Sequence, residues 1–403
     1  MDADPSLVDD ICRLIGAGPD EVAAQLVVAD IAERLGLTVE IYDEDLDVVR
    51  ALPDHPGEEV HRDRVVTVTA TASGRDPGAP RLCLNGHVDV VPTGQQPWTS
   101  PPFEPLVDAG YIFGRGAADM RAGVVAVLHA AAAVKSAHGG PPGDVVVQSV
   151  VAEEDGGLGT FAALRRDSAF AGCVIAEPTD DAIVCANGGA LTWRATVRGR
   201  SAHASNRLDG VSALDRFLPI YLALQALETA LNAEVTHPLM RDLALPYPLS
   251  VGIVRAGDWA SSVPDELVCD GRVGVPLGLT AAEVRRRLEA VVAAAADDRG
   301  EPPRIEWTGG QFEPAETPAD DPLVTQLVAA ATGVTGTVPR LIGVPYGSDL
   351  RHFRSHGIPT VLYGPGELVQ AHATDERVEI ASVMRHVRVL TALAATFGNA
   401  SFT

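Results

Sequence analysis

Basic residues are scarce in this 403-residue chain: 31 Lys and Arg face 54 Asp and Glu, a formal net charge of −23 at pH 7. A field of that sign repels phosphate backbones and anionic headgroups, so neither a nucleic-acid partner nor a membrane surface is expected. Cysteine is sparse as well. Cys12, Cys83, Cys173, Cys185 and Cys269 are odd in number, widely spaced and mostly inside apolar runs, which reads as buried free thiols rather than a disulfide or zinc–thiolate framework. Any bound metal must then use other ligands. No run approaches 18 uninterrupted apolar residues, and the acidic start "MDADPSLVDD" lacks the basic and apolar regions of a secretory signal. The expectation is a cytoplasmic protein. Low-complexity tracts are missing too, while the hydrophobic class reaches 46% and charged residues 21%, the balance of an ordered globular chain.

The length exceeds what one hydrophobic core usually serves, so two domains are expected. Up to residue 188 strand-like segments ("RVVTVTATA", "RLCLNGHVD", "DVVVQSVVAEE", "GCVIAE") alternate with helical ones, including the Ala-rich "AGVVAVLHAAAAVKSAHGG". That alternation implies an α/β domain with a mainly parallel sheet covered on both faces. From residue 189 the pattern becomes βαββαβ, the ferredoxin-like order, with a long helix that Pro219 is expected to interrupt. The reading is a catalytic metal-binding domain of residues 1–188 and 310–403, with a small lid or dimerisation domain, 189–309, inserted into it. "GGQFEPAETPADDP" reads as the returning linker.

"NGHVDVVPTG" follows the apolar run "RLCL" and carries His87 and Asp89, two residues apart and so on one side of an extended chain. Carboxyl ends of strands are where open α/β sheets bind ligands, and a ligating histidine needs its second ring nitrogen held by a carboxylate or carbonyl, which Asp89 can supply. A histidine satisfied by a local turn is the plainer alternative for this pair taken alone. Asp119, in "GRGAADMRAG", opens the Ala-rich helix; Glu153 and Glu154 end "QSVVAEE"; Glu177 ends "CVIAEP"; His372 follows the strand "VLYGPG". Carboxylates gathered at one sheet edge repel one another unless cations neutralise them. Two imidazoles and three carboxylates from His87, Asp119, Glu154, Glu177 and His372 form an N/O set that zinc accepts, and if Asp119 bridged two divalent ions, three carboxylates and one hydroxide would balance their four charges. Adjacent residues of an extended chain face opposite ways, so one of Glu153 and Glu154 can bind metal while the other stays free as a general base. "GRGAAD" lacks the third glycine of a dinucleotide fingerprint and follows "YIFGR" instead of opening the first βαβ unit, so hydride-transfer chemistry is set aside.

The order "GHVDVVP", "GRGAADMRAG", "AEED", "AEPT", "GRSAHAS" and "AHATDE" closely resembles the acetylornithine deacetylase, succinyl-diaminopimelate desuccinylase, aminoacylase and carboxypeptidase G family of dinuclear zinc amidohydrolases. The resemblance spans most of the chain and includes the inserted domain. It implies that His87 and Glu177 hold one divalent ion and Glu154 and His372 the other, with Asp119 bridging and Asp89 orienting His87. Zn2+ is the expected metal, and Co2+ or Mn2+ are alternatives. It also implies a cis peptide between Asp119 and Met120, Glu153 as general base, and His203 of "RSAHAS" reaching a partner subunit's active site to stabilise the oxyanion. Arg272 in "CDGRVGV" is implied as the binder of the substrate carboxylate, with Gly347 and Ser348 of "YGSDLRHF" as further substrate contacts. One departure stands out: Ser262 of "ASSVPDEL" occupies a position where many relatives carry asparagine.

The expected function is metal-dependent hydrolysis of the amide of an N-acyl amino acid, with Glu153 carrying the proton from an activated water to the leaving amine. A dipeptidase or carboxypeptidase acting on short peptides is the alternative within the same class, and a noncatalytic metal-binding scaffold the alternative outside it. A homodimer formed through the lid is expected on the resemblance.

Overall fold

The computed structural model describes residues 4–137, 140–233 and 235–398. The first eight strands are β1 (Thr38–Asp43), β2 (Val66–Ala72), β3 (Leu82–His87), β4 (Leu106–Asp108), β5 (Tyr111–Phe113), β6 (Val145–Val150), β7 (Gly172–Pro178) and β8 (Ile183–Asn187). Four more build the inserted domain: β9 (Gly189–Arg198), β10 (Leu249–Ala256), β11 (Glu266–Val275) and β12 (Arg304–Phe312). The chain then returns through β13 (Ala315–Glu316), β14 (Leu341–Val344), β15 (Thr360–Gly364) and β16 (Arg377–Glu379).

The main sheet has the order β1-β2-β6-β3-β7-β15-β8-β13, with β14 paired to β8. Its centre, β6-β3-β7-β15, is parallel, whereas β1, β2 and β13 pair antiparallel at the flanks. Every residue of β3, β6, β7, β8 and β15 is buried. Side chains alternate between the faces of a sheet, so complete burial requires cover on both, and that explains why these strands read as continuous apolar runs. The Ala-rich helix Ala122–Ser136 packs against β2, β3, β6 and β7, while Leu158–Arg166 packs against β6 and Leu350–Ser355 against β15. By length and composition, Ala117–Ser136 is apolar enough to cross a membrane, yet its most apolar window is 83% buried within the protein; its apolarity serves the core.

The small domain is a four-stranded antiparallel sheet of order β10-β11-β9-β12, the ferredoxin-like arrangement. Its helices, Ala213–Asn232 and Ala281–Ala295, close a separate core around Leu191, Trp193, Phe217, Leu267 and Leu288. Pro219 does not interrupt the first of these helices, which runs unbroken from Ala213 to Asn232. The N–H that proline lacks would bond the Asp215 carbonyl, and both residues lie on the exposed side, where water serves that oxygen. The second crossing between the domains falls inside a strand: β12 shifts register between Trp307 and Gln311 and continues to Phe312, so residues 309 and 310 belong to that irregularity and not to a free linker. A third, small sheet, β16-β5-β4, ties the segment after His372 to the segment before Asp119.

Candidate active site

His87 is the last residue of β3, Glu177 lies near the end of the adjacent parallel strand β7, and Glu153 and Glu154 follow β6. Parallel pairing therefore delivers all four to one edge of the sheet. Asp119 arrives from a kinked turn, Ala117–Arg121, in which Asp119 and Met120 are non-helical; the turn leads into the Ala-rich helix and contains a cis peptide between Asp119 and Met120. Gly123 lets that helix sit directly on β7: a Cβ there would come within 2.2 Å of the Ala176 carbonyl oxygen, so only glycine permits the approach that sets Asp119 beside Glu177. His372 comes from the loop before β16, in the left-handed region at φ 61°.

The side chains form two triads that share Asp119: His87, Asp119 and Glu177, and Asp119, Glu154 and His372, each with its ligand atoms within 4.8 Å of one another. His87 Nε2 lies 3.2 Å from Asp119 Oδ1 and 3.7 Å from Glu177 Oε1. His372 Nε2 lies 3.0 Å from Glu154 Oε2 and 3.6 Å from Asp119 Oδ2. The His87 Nδ1 proton goes to the backbone oxygen of Asp89 at 3.1 Å, with the Asp89 carboxylate at 3.4 Å. That leaves the Nε2 lone pair facing Asp119 and Glu177. The other oxygen of the same carboxylate accepts the Glu154 N–H at 3.1 Å, so Asp89 braces ligands of both triads.

Glu153 and Glu154 are not separated by strand alternation, as an extended chain would have it. β6 ends at Val150, Ala152 takes a left-handed conformation (φ 64°), and the two glutamates occupy a turn. The turn achieves the same division: Glu154 faces His372, whereas Glu153 lines the cavity outside both triads.

Burial holds the Glu177 carboxyl well above the ordinary carboxylate range, reinforced by Asp119, and does the same to Glu153, reinforced by Asp349. Glu154 is raised by burial and then by Asp119. Burial opposes a charged His87, but Asp89 and Asp119 outweigh it and raise the imidazole well above its usual value; a hydrogen bond with Glu154 raises His372. The site thus holds more buried negative charge than its own cations balance, and it draws in protons. Divalent cations satisfy the same demand, and two imidazoles with three carboxylates match their donor preferences. The residues present fit a dinuclear centre.

A cavity of about 440 Å³ opens above this cluster. Its lining includes Glu153, Arg272, Phe312, Tyr346, Gly347 and Ser348, so the three predicted substrate contacts meet members of both triads there. Arg272 reaches it from β11 and has no hydrogen-bond or ion-pair partner among the described residues; burial lowers its pKa. His203 is elsewhere. It caps the short helix Ala204–Asp209, is exposed, contacts Ser205 Oγ at 2.8 Å, and does not line the cavity of its own chain. Ser262 forms an isolated bridge with His203.

Several residues that brace the site were not singled out from the sequence. Asp155, third acid of "AEED", is buried and accepts from the Glu59 and Val60 N–H groups, each at 2.8 Å, and from Arg62 at 2.9 Å; it pins the 57–62 loop at the cavity rim. Glu376, four residues after His372, is fully buried and bonded to Arg115 and to the Asp119 turn. The only sequence signal for either was a charged residue directly beside a predicted ligand motif.

The model of peptidase family M20/M25/M40 matches residues 83–396 of this chain. The chain belongs to that family. It is 30% identical over 393 residues to the succinyl-diaminopimelate desuccinylase of Leptothrix cholodnii, covering 94% of each protein. It is 27% identical over 332 residues to the N-formyl-4-amino-5-aminomethyl-2-methylpyrimidine deformylase of Bacillus subtilis, covering 77% of each. Among solved structures, the di-peptidase Dug1p of Saccharomyces cerevisiae superposes with a TM-score of 0.75 at 14% identity, covering 99% of this chain and 97% of that one, a likeness of fold. Membership in the M20/M25/M40 family makes the protein a metal-dependent amide hydrolase with a catalytic and an inserted domain.

Proposed function

We propose that the protein removes the acyl group from an N-acyl amino acid, with two zinc ions at the triads and Glu153 as general base. The observation that carries this reading is the division of carboxylates. Asp119, Glu154 and Glu177 are committed to the two triads, whereas Glu153 lies in the cavity beside them and belongs to neither. A binding protein has no use for the extra buried acid.

Bound divalent cations supply positive charge that polarises an amide carbonyl and acidifies a water. Glu153 takes the water's proton and hands it to the departing amine, a role its place in the cavity outside both triads allows. Asp89 holds His87 by its Nδ1 proton, fixing the ring. Arg272, without a partner among the described residues, offers its fork at the cavity wall to the carboxylate of the amino-acid half, while Gly347 and Ser348 line the same cavity. His203 serves as oxyanion donor for the partner chain in a homodimer. Two observations support that assignment: its exposure away from its own cavity, and the unpaired edge strand β10 beside a helix that exposes Leu214, Leu218, Tyr221 and Leu222. A cytoplasmic location completes the proposal, on composition alone.

One observation favours the dipeptidase alternative. Glu59, an acid outside the metal cluster, lines the same cavity and faces Thr192 at 3.2 Å; it suits a cationic group such as the free ammonium of a peptide. The test is amine release from N-acetyl, N-succinyl and N-formyl amino acids and from dipeptides, with zinc-loaded and metal-free protein in parallel. Metal-dependent release from acylated amino acids is expected. A preference for dipeptides moves the assignment to peptidase, and two bound metals without turnover of any amide count against both.

A further inference from the structure

We infer that Glu376 is a positioning residue that sets the affinity of the cation site built by Glu154 and His372, through its grip on the Asp119 turn. The inference rests on the dinuclear reading above and adds a residue and an asymmetry to it.

The Glu376 carboxylate is fully buried and accepts four hydrogen bonds. Oε2 takes Arg115 Nη1 at 2.7 Å and the Gly116 N–H at 3.0 Å; Oε1 takes the Ala118 N–H at 2.8 Å and the Asp119 N–H at 2.9 Å. Three converging backbone donors make an anion-binding nest, and here the anion is a side chain of the protein itself. Its backbone takes part too: the Gly114 N–H donates to the Glu376 carbonyl at 2.9 Å. Arg115 Nη1 also donates to the Ala373 carbonyl at 3.2 Å, one residue past His372. One buried carboxylate thus joins the turn that presents Asp119 to the loop that presents His372.

The two triads depend on this joint unequally. His87 and Glu177 stand on β3 and β7, neighbouring strands of the central sheet, and are 1% and 7% exposed. The sheet places them whatever Glu376 does. His372 lies outside any helix or strand, with its side chain 54% exposed and its backbone in the left-handed region, and its triad partner Glu154 sits in a turn. The β16–β5 pairing, the packing of Leu368–Gln370 on the Asp119 turn and the exposed Asp375–Thr99 contact also hold the loop, but among the described residues the hydrogen bonds that join it directly to that turn are those of Glu376 and Arg115. Residues that orient metal ligands from behind typically change metal affinity by about 10–100-fold. Asp119 belongs to both triads, so both sites feel the loss, and the one that also depends on the His372 loop feels it more.

The experiment is a chelator-buffered Zn2+ titration of the metal-free protein, reading zinc bound per chain, for wild type, Glu376→Gln and Arg115→Met. Glutamine keeps the shape but has one acceptor oxygen and turns an NH2 group toward N–H donors. Wild type is expected to take up two equivalents. E376Q should bind the first within about threefold of wild type and the second about 10–100-fold more weakly. R115M, which keeps the three backbone donors and decides the matter if E376Q does not fold, should weaken the same equivalent by less. Unchanged affinities, or equal weakening of both equivalents, overturn the inference. Fewer than two equivalents on wild type overturns the dinuclear reading itself, so the two failures are told apart.

Discussion

Glu153→Gln isolates the chemistry from the metal. Glu153 is 8% exposed, belongs to neither triad and its carboxylate has no hydrogen-bond partner among the described residues, so glutamine should leave the fold and both triads in place. The size of the effect follows from what remains. Glu154 and Glu177 belong to the two triads, and Asp349, though buried nearby, does not line the cavity. Among the described residues that line the cavity, Glu59 is then the one carboxylate outside both triads, and it already accepts from Thr192 and Gly310. General-base catalysis contributes about 10²–10⁴-fold, or about 3–5 kcal/mol of barrier at 1.36 kcal/mol per tenfold. The kcat of E153Q should therefore fall by that factor, with KM little changed and zinc content equal to wild type. The variant also removes a carboxyl whose ionised form is disfavoured by burial and by Asp349, so at neutral pH the metal-free E153Q protein should melt above metal-free wild type. Measurement needs steady-state kinetics, elemental analysis of the same samples, and a thermal melt. A variant that keeps more than about a tenth of wild-type kcat refutes the base assignment; one that loses zinc along with activity refutes the separation of base from ligand.

Arg272→Met should raise KM about 10–100-fold for substrates bearing a carboxylate and leave kcat nearly untouched, because a lost bidentate contact to a distant substrate group weakens ground and transition states alike; an equal effect on an uncharged amide analogue refutes the carboxylate contact. Trp193 is fully buried in the lid core, stacked over Gly271, so Trp193→Ala should cost about 3–5 kcal/mol and lower the denaturant midpoint of the lid; a shift under 1 kcal/mol would mean the lid repacks. His386 is fully buried, donates from Nδ1 to the Ser382 carbonyl at 2.9 Å and has its pKa lowered by burial to about 4. The unfolded chain takes up that proton near pH 6.5 and the folded one only near 4, so His386 should withdraw about 3 kcal/mol of stability as pH falls across that window. His386→Asn should flatten the melting temperature between pH 6.5 and 4; an unchanged slope refutes the assignment.

The central strands were legible because both faces of the sheet are covered, which writes them as unbroken apolar runs, and the lid's change of rhythm at residue 189 marks where an antiparallel sheet begins. Of the candidate ligands, His87, Glu154 and Glu177 were legible because each sits at or just past the place where such a run stops. What the sequence misstated shares one cause: local chain geometry was assigned from neighbours alone. Glu153 and Glu154 were given strand alternation, but Ala152 turns the backbone; Pro219 was given a break, but its missing N–H faces water. Glu376 and Asp155 passed unnoticed because their partners are backbone N–H groups hundreds or tens of residues away, and a backbone donor has no residue code.

The amino-acid sequence by itself determined the α/β class, the inserted ferredoxin-like unit and the five candidate ligands, since periodicity and residue chemistry are local properties. Only the tertiary structure decided that these five side chains meet in two triads through Asp119, that Arg272 faces the same cavity as Glu153, and that His203 does not. Those are statements about distance between strands, turns and loops, and such distances exist only once the sheet has brought its strand ends to one edge.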